Sequence, residues 1–148
     1  MKAVAYNIEP FEKEFLAKAN QKKHDITLIA NPLSLDTVIY AEGKDAVIVF
    51  TNDDVSAAVI EKLAGLGIKY IVTRSADTDH IDKNAAATYG IKISNVPSYP
   101  QQADITQQAL QEVANQTIKN LDLWQQNKCV GKACVCEKNC RMQSINKD

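Results

Sequence analysis

Short β-branched apolar runs alternate with helically spaced apolar positions along most of the chain. Residues 3–6 read as a first strand, and Pro10 stands where a first helical turn tolerates a missing N–H. Phe11, Phe15, Leu16 and Ala19 follow at helical spacing. Residues 24–30 alternate as a second strand closed by Asn31-Pro32, and 35–41 read as a short helix. AVIVF at 46–50 is unbroken and β-branched, as in a parallel strand buried on both faces. Thr51, Asn52, Asp53 and Asp54 offer caps for a helix ending at Gly65 or Gly67, with Val55, Val59, Ile60 and Leu63 facing inward. Residues 70–72 then form a fourth strand, 73–79 a polar loop, 81–89 an Ala-rich helix stopped by Gly90, and 91–96 a fifth strand. Ile105, Leu110, Val113, Ala114, Ile118, Leu121 and Trp124 draw the apolar stripe of a helix over about 105–127. Asp104, with Gln107 three residues on, is placed to N-cap that helix.

This alternation predicts an α/β fold: a flavodoxin-like, doubly wound, five-stranded parallel sheet in the order 2-1-3-4-5, forming one domain over 1–128 before a cysteine-containing tail at 129–148. Ligands of such sheets sit beyond the carboxyl ends of the strands, which directs attention to Arg74, Ser75, Ala76 and Tyr99. Two chemistries of this architecture lack their residues. A phosphoryl-accepting receiver needs acidic groups after strands one and three, where Tyr6-Asn7 and Phe50-Thr51 stand. A flavin phosphate needs a donor-rich loop after strand one, where the chain reads Asn7-Ile8-Glu9-Pro10.

The stretch GIKYIVTRSADTDHIDKNAAATYGIKISNVPSYP resembles the substrate domain of D-2-hydroxyacid dehydrogenases, the D-lactate dehydrogenases among them. There a loop of the type RSAGTDNID holds the substrate carboxylate through backbone amides, and a VPAYSP-like segment brings an aromatic to the pocket. The resemblance implies those roles for Arg74, Ser75, Ala76 and Tyr99. It also implies NAD as cofactor of the family, yet the five glycines form no G-x-G-x-x-G turn, so no cofactor site is expected in this chain. After Pro100 the sequence passes directly into QQADITQQAL, similar to the HQAFLTDEAL that opens the family's last helix. Gln101 stands at the family's catalytic histidine, an amide that cannot exchange a proton near neutral pH, and the family's Arg and Glu have no counterpart. The expectation is a substrate domain from which the nucleotide domain has been deleted by engineering, a monomer because family dimers form chiefly through that domain, and not an enzyme. The alternatives are a natural module that senses a small carboxylate and a ligand-free scaffold.

Composition narrows the partners. Apolar residues make 45% and charged residues 24%, with a net charge of −1, which offers no electrostatic footprint for nucleic acid or an anionic membrane. No 18-residue apolar run occurs and the start lacks a signal-peptide pattern, so a cytoplasmic protein binding at most a small 2-oxo or 2-hydroxy acid is expected. His24 and His80 read as solvated, and Asp77, Asp79 and Asp82 as caps and loop charges, since their spacing matches no EF-hand. Cys129, Cys134, Cys136 and Cys140 cluster at the end without paired C-x2-C knuckles; they read as part of a tail, with a soft-metal or redox site the alternative.

Overall fold

The computed structural model describes residues 1–135. Its five parallel strands are β1 (Lys2–Ala5), β2 (Asp25–Leu28), β3 (Ala46–Val49), β4 (Tyr70–Thr73) and β5 (Lys92–Ser94), in the order β2-β1-β3-β4-β5. The helices are α1 (Pro10–Asn20), α2 (Ala57–Gly65), α3 (Lys83–Thr88) and α4 (Gln107–Gln125). This is the expected flavodoxin-like arrangement.

The period of two in each strand divides the core between the two faces. Val4, Val47, Val49, Ile71 and Ile93 pack with Val59, Ile60 and Leu63 of α2 and Ala86 of α3. Ala3, Ala5, Ala46, Ile48 and Val72 face the other way, onto Leu16 of α1 and Ala114, Ile118, Leu121 and Trp124 of α4. The small residues on this second face leave room for the α4 indole, which stacks on Tyr70 with ring centroids 4.8 Å apart.

Several local expectations change. Within 35–41 only a 3₁₀ turn forms, Val38–Ala41, and Leu35, Ile39 and Tyr40 stay exposed. Helix α4 is capped by Thr106, whose hydroxyl accepts from the Ala109 N–H at 3.0 Å; Asp104 lies in a preceding 3₁₀ turn, Gln102–Asp104, and Ile105 is exposed. His24 is buried rather than solvated. Its Nε2 lies 2.7 Å from Asp122 of α4 and its Nδ1 3.1 Å from the Met1 amino group, so the imidazole ties the amino end of the sheet to the last helix. The packed structure also runs past residue 128. Val130 and Ala133 are buried against the α1–α4 face, the Asn95 N–H donates to the Ala133 carbonyl, and the Val135 N–H donates to Ile93. An antiparallel bridge between Ser94 and Cys134 thus covers the free edge of β5.

Candidate functional site

The carboxyl ends of β1, β3 and β4 open into a cleft of about 170 Å³ between α1 and α4, lined by Phe11, Glu12, Phe50, Arg74, Tyr99 and Leu110 among others. Arg74 extends from the end of β4 and is only 3% exposed. Its Nε donates to Glu12 Oε2 at 2.7 Å, Nη2 to Glu12 Oε1 at 3.4 Å and the Asn7 carbonyl at 3.2 Å, and Nη1 to the Tyr6 carbonyl at 3.1 Å. Asn7 presents its carbonyl from a left-handed conformation, φ 59°, which asparagine tolerates better than most residues. Glu12 is held in turn by the Glu9 N–H in the box that starts α1. The guanidinium lies 5.6 Å from the Phe50 ring centre, and Tyr99 leans on the same ring at 5.9 Å. Burial raises the Tyr99 phenol pKa and the Glu12 charge adds to it, against the opposing effect of Arg74, so Tyr99 is a protonated donor at neutral pH.

The end of β3 is anchored by Asp53, which accepts from Leu33 N–H at 2.8 Å and Phe50 N–H at 2.7 Å. Burial raises its pKa, although those two bonds and Arg74 pull the other way. The loop after β4 is organised by side chains turned inward. Thr73 and Ser75 hydroxyls lie 2.6 Å apart, Ser75 donates to the Asp77 carbonyl at 2.8 Å, and His80 Nε2 lies 3.2 Å from Thr73 Oγ1. Asp77 accepts from the Asp79 N–H, and Asn95 donates to the Ala76 carbonyl. The N–H groups of Ala76 and Asp77 find no hydrogen-bond partner among the described residues.

The expected residues therefore divide. Arg74 and Tyr99 both reach the cleft, but the Arg74 charge is already matched by Glu12 and two carbonyls, and Ser75 spends its hydroxyl inside the loop. Neither side chain is free for a ligand, and Ser75, Ala76 and Asp77 are not among the residues lining the cleft; what the loop presents to solvent is backbone at Ala76 and Asp77. Gln101 is exposed and is not among the residues lining the cleft. His80 is half-buried, not solvated; its Nδ1 is buried without a partner among the described residues, and burial lowers its pKa. Asp82 caps α3 through the Ala85 N–H, as its position predicts. Glu12, Phe50, Asn7 and Leu110 escape sequence reasoning: Phe50 reads as the last residue of a strand, and nothing local links Glu12 to a residue 62 positions away.

Among the described residues neither a dinucleotide nor a metal finds a built cradle. Gly43, Gly67 and Gly90 lie in turns, Gly65 ends α2 and Gly131 opens a 3₁₀ turn; none stands in a turn from a strand into a helix, so the described residues do not fit the pyrophosphate of NAD. Among the described residues no three His, Cys, Asp or Glu side chains gather around a point where a metal ion could sit. Cys134 lies in the bridge to Ser94, Cys129 accepts from the Gly131 N–H at 3.4 Å, and Cys136 and Cys140 lie outside the described residues. No helix of the described residues is long and apolar enough to cross a membrane.

A five-stranded parallel sheet in this order, with a cleft and two aromatics at the carboxyl ends of its strands, defines a flavodoxin-like α/β domain. Residues 3–134 match the family described as D-isomer specific 2-hydroxyacid dehydrogenase, catalytic domain, and the chain belongs to that family. It is similar to D-lactate dehydrogenase of Escherichia coli strain K12, with 34% identity over 104 residues, covering 70% of this chain and 32% of that protein. It is also similar to an aromatic 2-oxoacid reductase of Clostridium sporogenes strain ATCC 15579, with 34% identity over 100 residues, or 67% of this chain and 30% of the relative. The apo structure of the Escherichia coli D-lactate dehydrogenase superposes with a TM-score of 0.66 at 34% identity, over 68% of this chain and 32% of that one. The chain thus spans about a third of the length of the curated relatives it matches.

These likenesses overturn one expectation. Gln101 and the lack of the family's Arg and Glu were grounds for a non-enzyme, but the relatives are named dehydrogenases and reductases, and the chain aligns with only part of each. The absence of those groups from this stretch therefore does not make it a non-enzyme.

Proposed function

We propose that this chain is the substrate-binding part of an oxidoreductase that interconverts a small 2-oxo acid and its D-2-hydroxy acid, and that the loop after β4 receives the carboxylate. One observation carries the reading: the N–H groups of Ala76 and Asp77, consecutive just past the carboxyl end of β4, have no acceptor among the described residues. Successive backbone amides in a turn are a common anion site, because each N–H contributes a partial positive charge without bringing a counter-ion. In the cleft at the end of the same strand the Arg74–Glu12 pair is already neutralised and does not repel an anion, and the Phe50 and Tyr99 rings offer apolar contact for the remainder of the acid.

Titration of the full chain with pyruvate and with D-lactate, followed through amide NMR, tests this. The expected result is saturable shifts centred on residues 75–79 and Tyr99. Shifts spread without a centre, or the same response to acetamide as to pyruvate, would remove the carboxylate assignment.

A further inference from the structure

We propose that His80, as its neutral Nε2–H tautomer, is the positioning residue of the loop after β4, fixing through Thr73 and Ser75 the backbone that presents the Ala76 and Asp77 N–H groups. The inference rests on the carboxylate role given above to those two amides.

The tautomer follows from counting hydrogens. The Asp77 carbonyl can only accept, so the single Ser75 hydroxyl hydrogen points to it, at 2.8 Å. Ser75 Oγ must then accept across its 2.6 Å contact, which commits the Thr73 hydroxyl hydrogen. Thr73 Oγ1 has no second hydrogen to give, so in its 3.2 Å contact with His80 Nε2 the imidazole is the donor. Nδ1 is left with a lone pair and, as observed, no partner. Thr73 is fully buried and Ser75 is 3% exposed, so water does not readily replace a missing link. The chain of donors runs His80, Thr73, Ser75, Asp77 carbonyl, and it closes the loop from its far end back onto its own first turn.

The ionisable groups around the ring are Asp77 and Asp79 of the loop and Lys83 at the start of α3, whose ammonium donates to the Thr78 carbonyl. The carboxylates favour an imidazolium and the ammonium disfavours it; burial is the largest effect and favours the neutral ring. Protonation would set a buried N–H at Nδ1 facing no acceptor.

Long-range ¹⁵N–¹H NMR of the full chain reads the tautomer directly. His80 is expected to show a protonated Nε2 and an unprotonated Nδ1; the reverse assignment, or a fast average of the two tautomers, overturns the proposal. Four variants read the function. In H80Q the amide nitrogen sits near the ε position, whereas in H80N it falls short; H80F has no donor, and T73V breaks the middle link. Pyruvate affinity is expected to stay within about twofold of wild type in H80Q and to fall about tenfold in H80N, H80F and T73V. Equal affinity in H80Q and H80F overturns the proposal, provided β1 amides confirm that both fold. Should wild type not bind pyruvate, the carboxylate reading fails and ¹⁵N relaxation of residues 75–79 decides the positioning role. Order kept in H80Q and lost in H80F supports it; identical relaxation in the two overturns it.

Discussion

A single guanidinium joins three elements at the head of the sheet. Arg74 comes from β4, its carboxylate from α1, and its two carbonyl acceptors from the turn after β1. Removing the cation strands a half-buried Glu12 and two carbonyls, and breaking a largely buried pair from one side costs far more than the pair contributes net. Arg74→Met is therefore expected to lower unfolding free energy by about 3–5 kcal/mol in a urea titration. A change under about 1 kcal/mol would show that solvent substitutes for the cation. His24 and Asp122 form the corresponding tie at the opposite end. Burial opposes the Asp122 charge, but hydrogen bonds from His24 and Lys23 outweigh it and hold the carboxyl below its ordinary value. A depressed carboxyl stabilises above its unfolded pKa and loses that contribution as pH falls through the folded one. Asp122→Asn should cost about 1.5–3 kcal/mol at pH 7, with the difference from wild type shrinking in acid.

At the scale of elements, helix starts and edges decide the details. Thr106→Ala should destabilise by about 1 kcal/mol, while Asp104→Ala should stay within about 0.5 kcal/mol, since the first removes the acceptor for the Ala109 N–H and the second removes no cap. The segment beyond α4 behaves as a sixth, antiparallel edge. Proline at 135 deletes the N–H that donates to Ile93, so Val135→Pro is expected to speed hydrogen exchange at the Asn95 amide, bound to Ala133 in the same ladder. Unchanged exchange there would mean that the buried Val130 and Ala133 alone hold the segment.

For the molecule as a whole, the His80 ring links stability to pH. Its folded pKa lies below the ordinary imidazole value of about 6.5, so the unfolded chain takes up the proton first. Stability is complete above that value and declines as pH drops below about 6.5, towards the lower folded pKa. Thermal melts across this range should fall in wild type and be flatter in H80Q. A carboxylate that binds only the folded loop would raise the melting temperature in proportion to the logarithm of its concentration once saturating.

Much of this was legible in the sequence because it is local. Ala46–Val49 makes a strand buried on both faces, the Ala-rich run before Gly90 makes a helix with a stop, and the repetition of the two points to a parallel sheet. The R-S-A loop at the end of β4 likewise marks the candidate site, since strand ends are where such sheets bind. Which atoms of that loop are available was decided only in three dimensions. Arg74 meets a carboxylate 62 residues away, His24 meets one 98 residues away, and residues 129–135 find an edge strand whose free hydrogen-bonding groups exist only once the sheet is built. Periodicity records which face of an element is apolar. It carries no record of which distant polar group will neutralise a buried charge, because that partner is chosen by the packing of whole elements and not by any spacing along the chain.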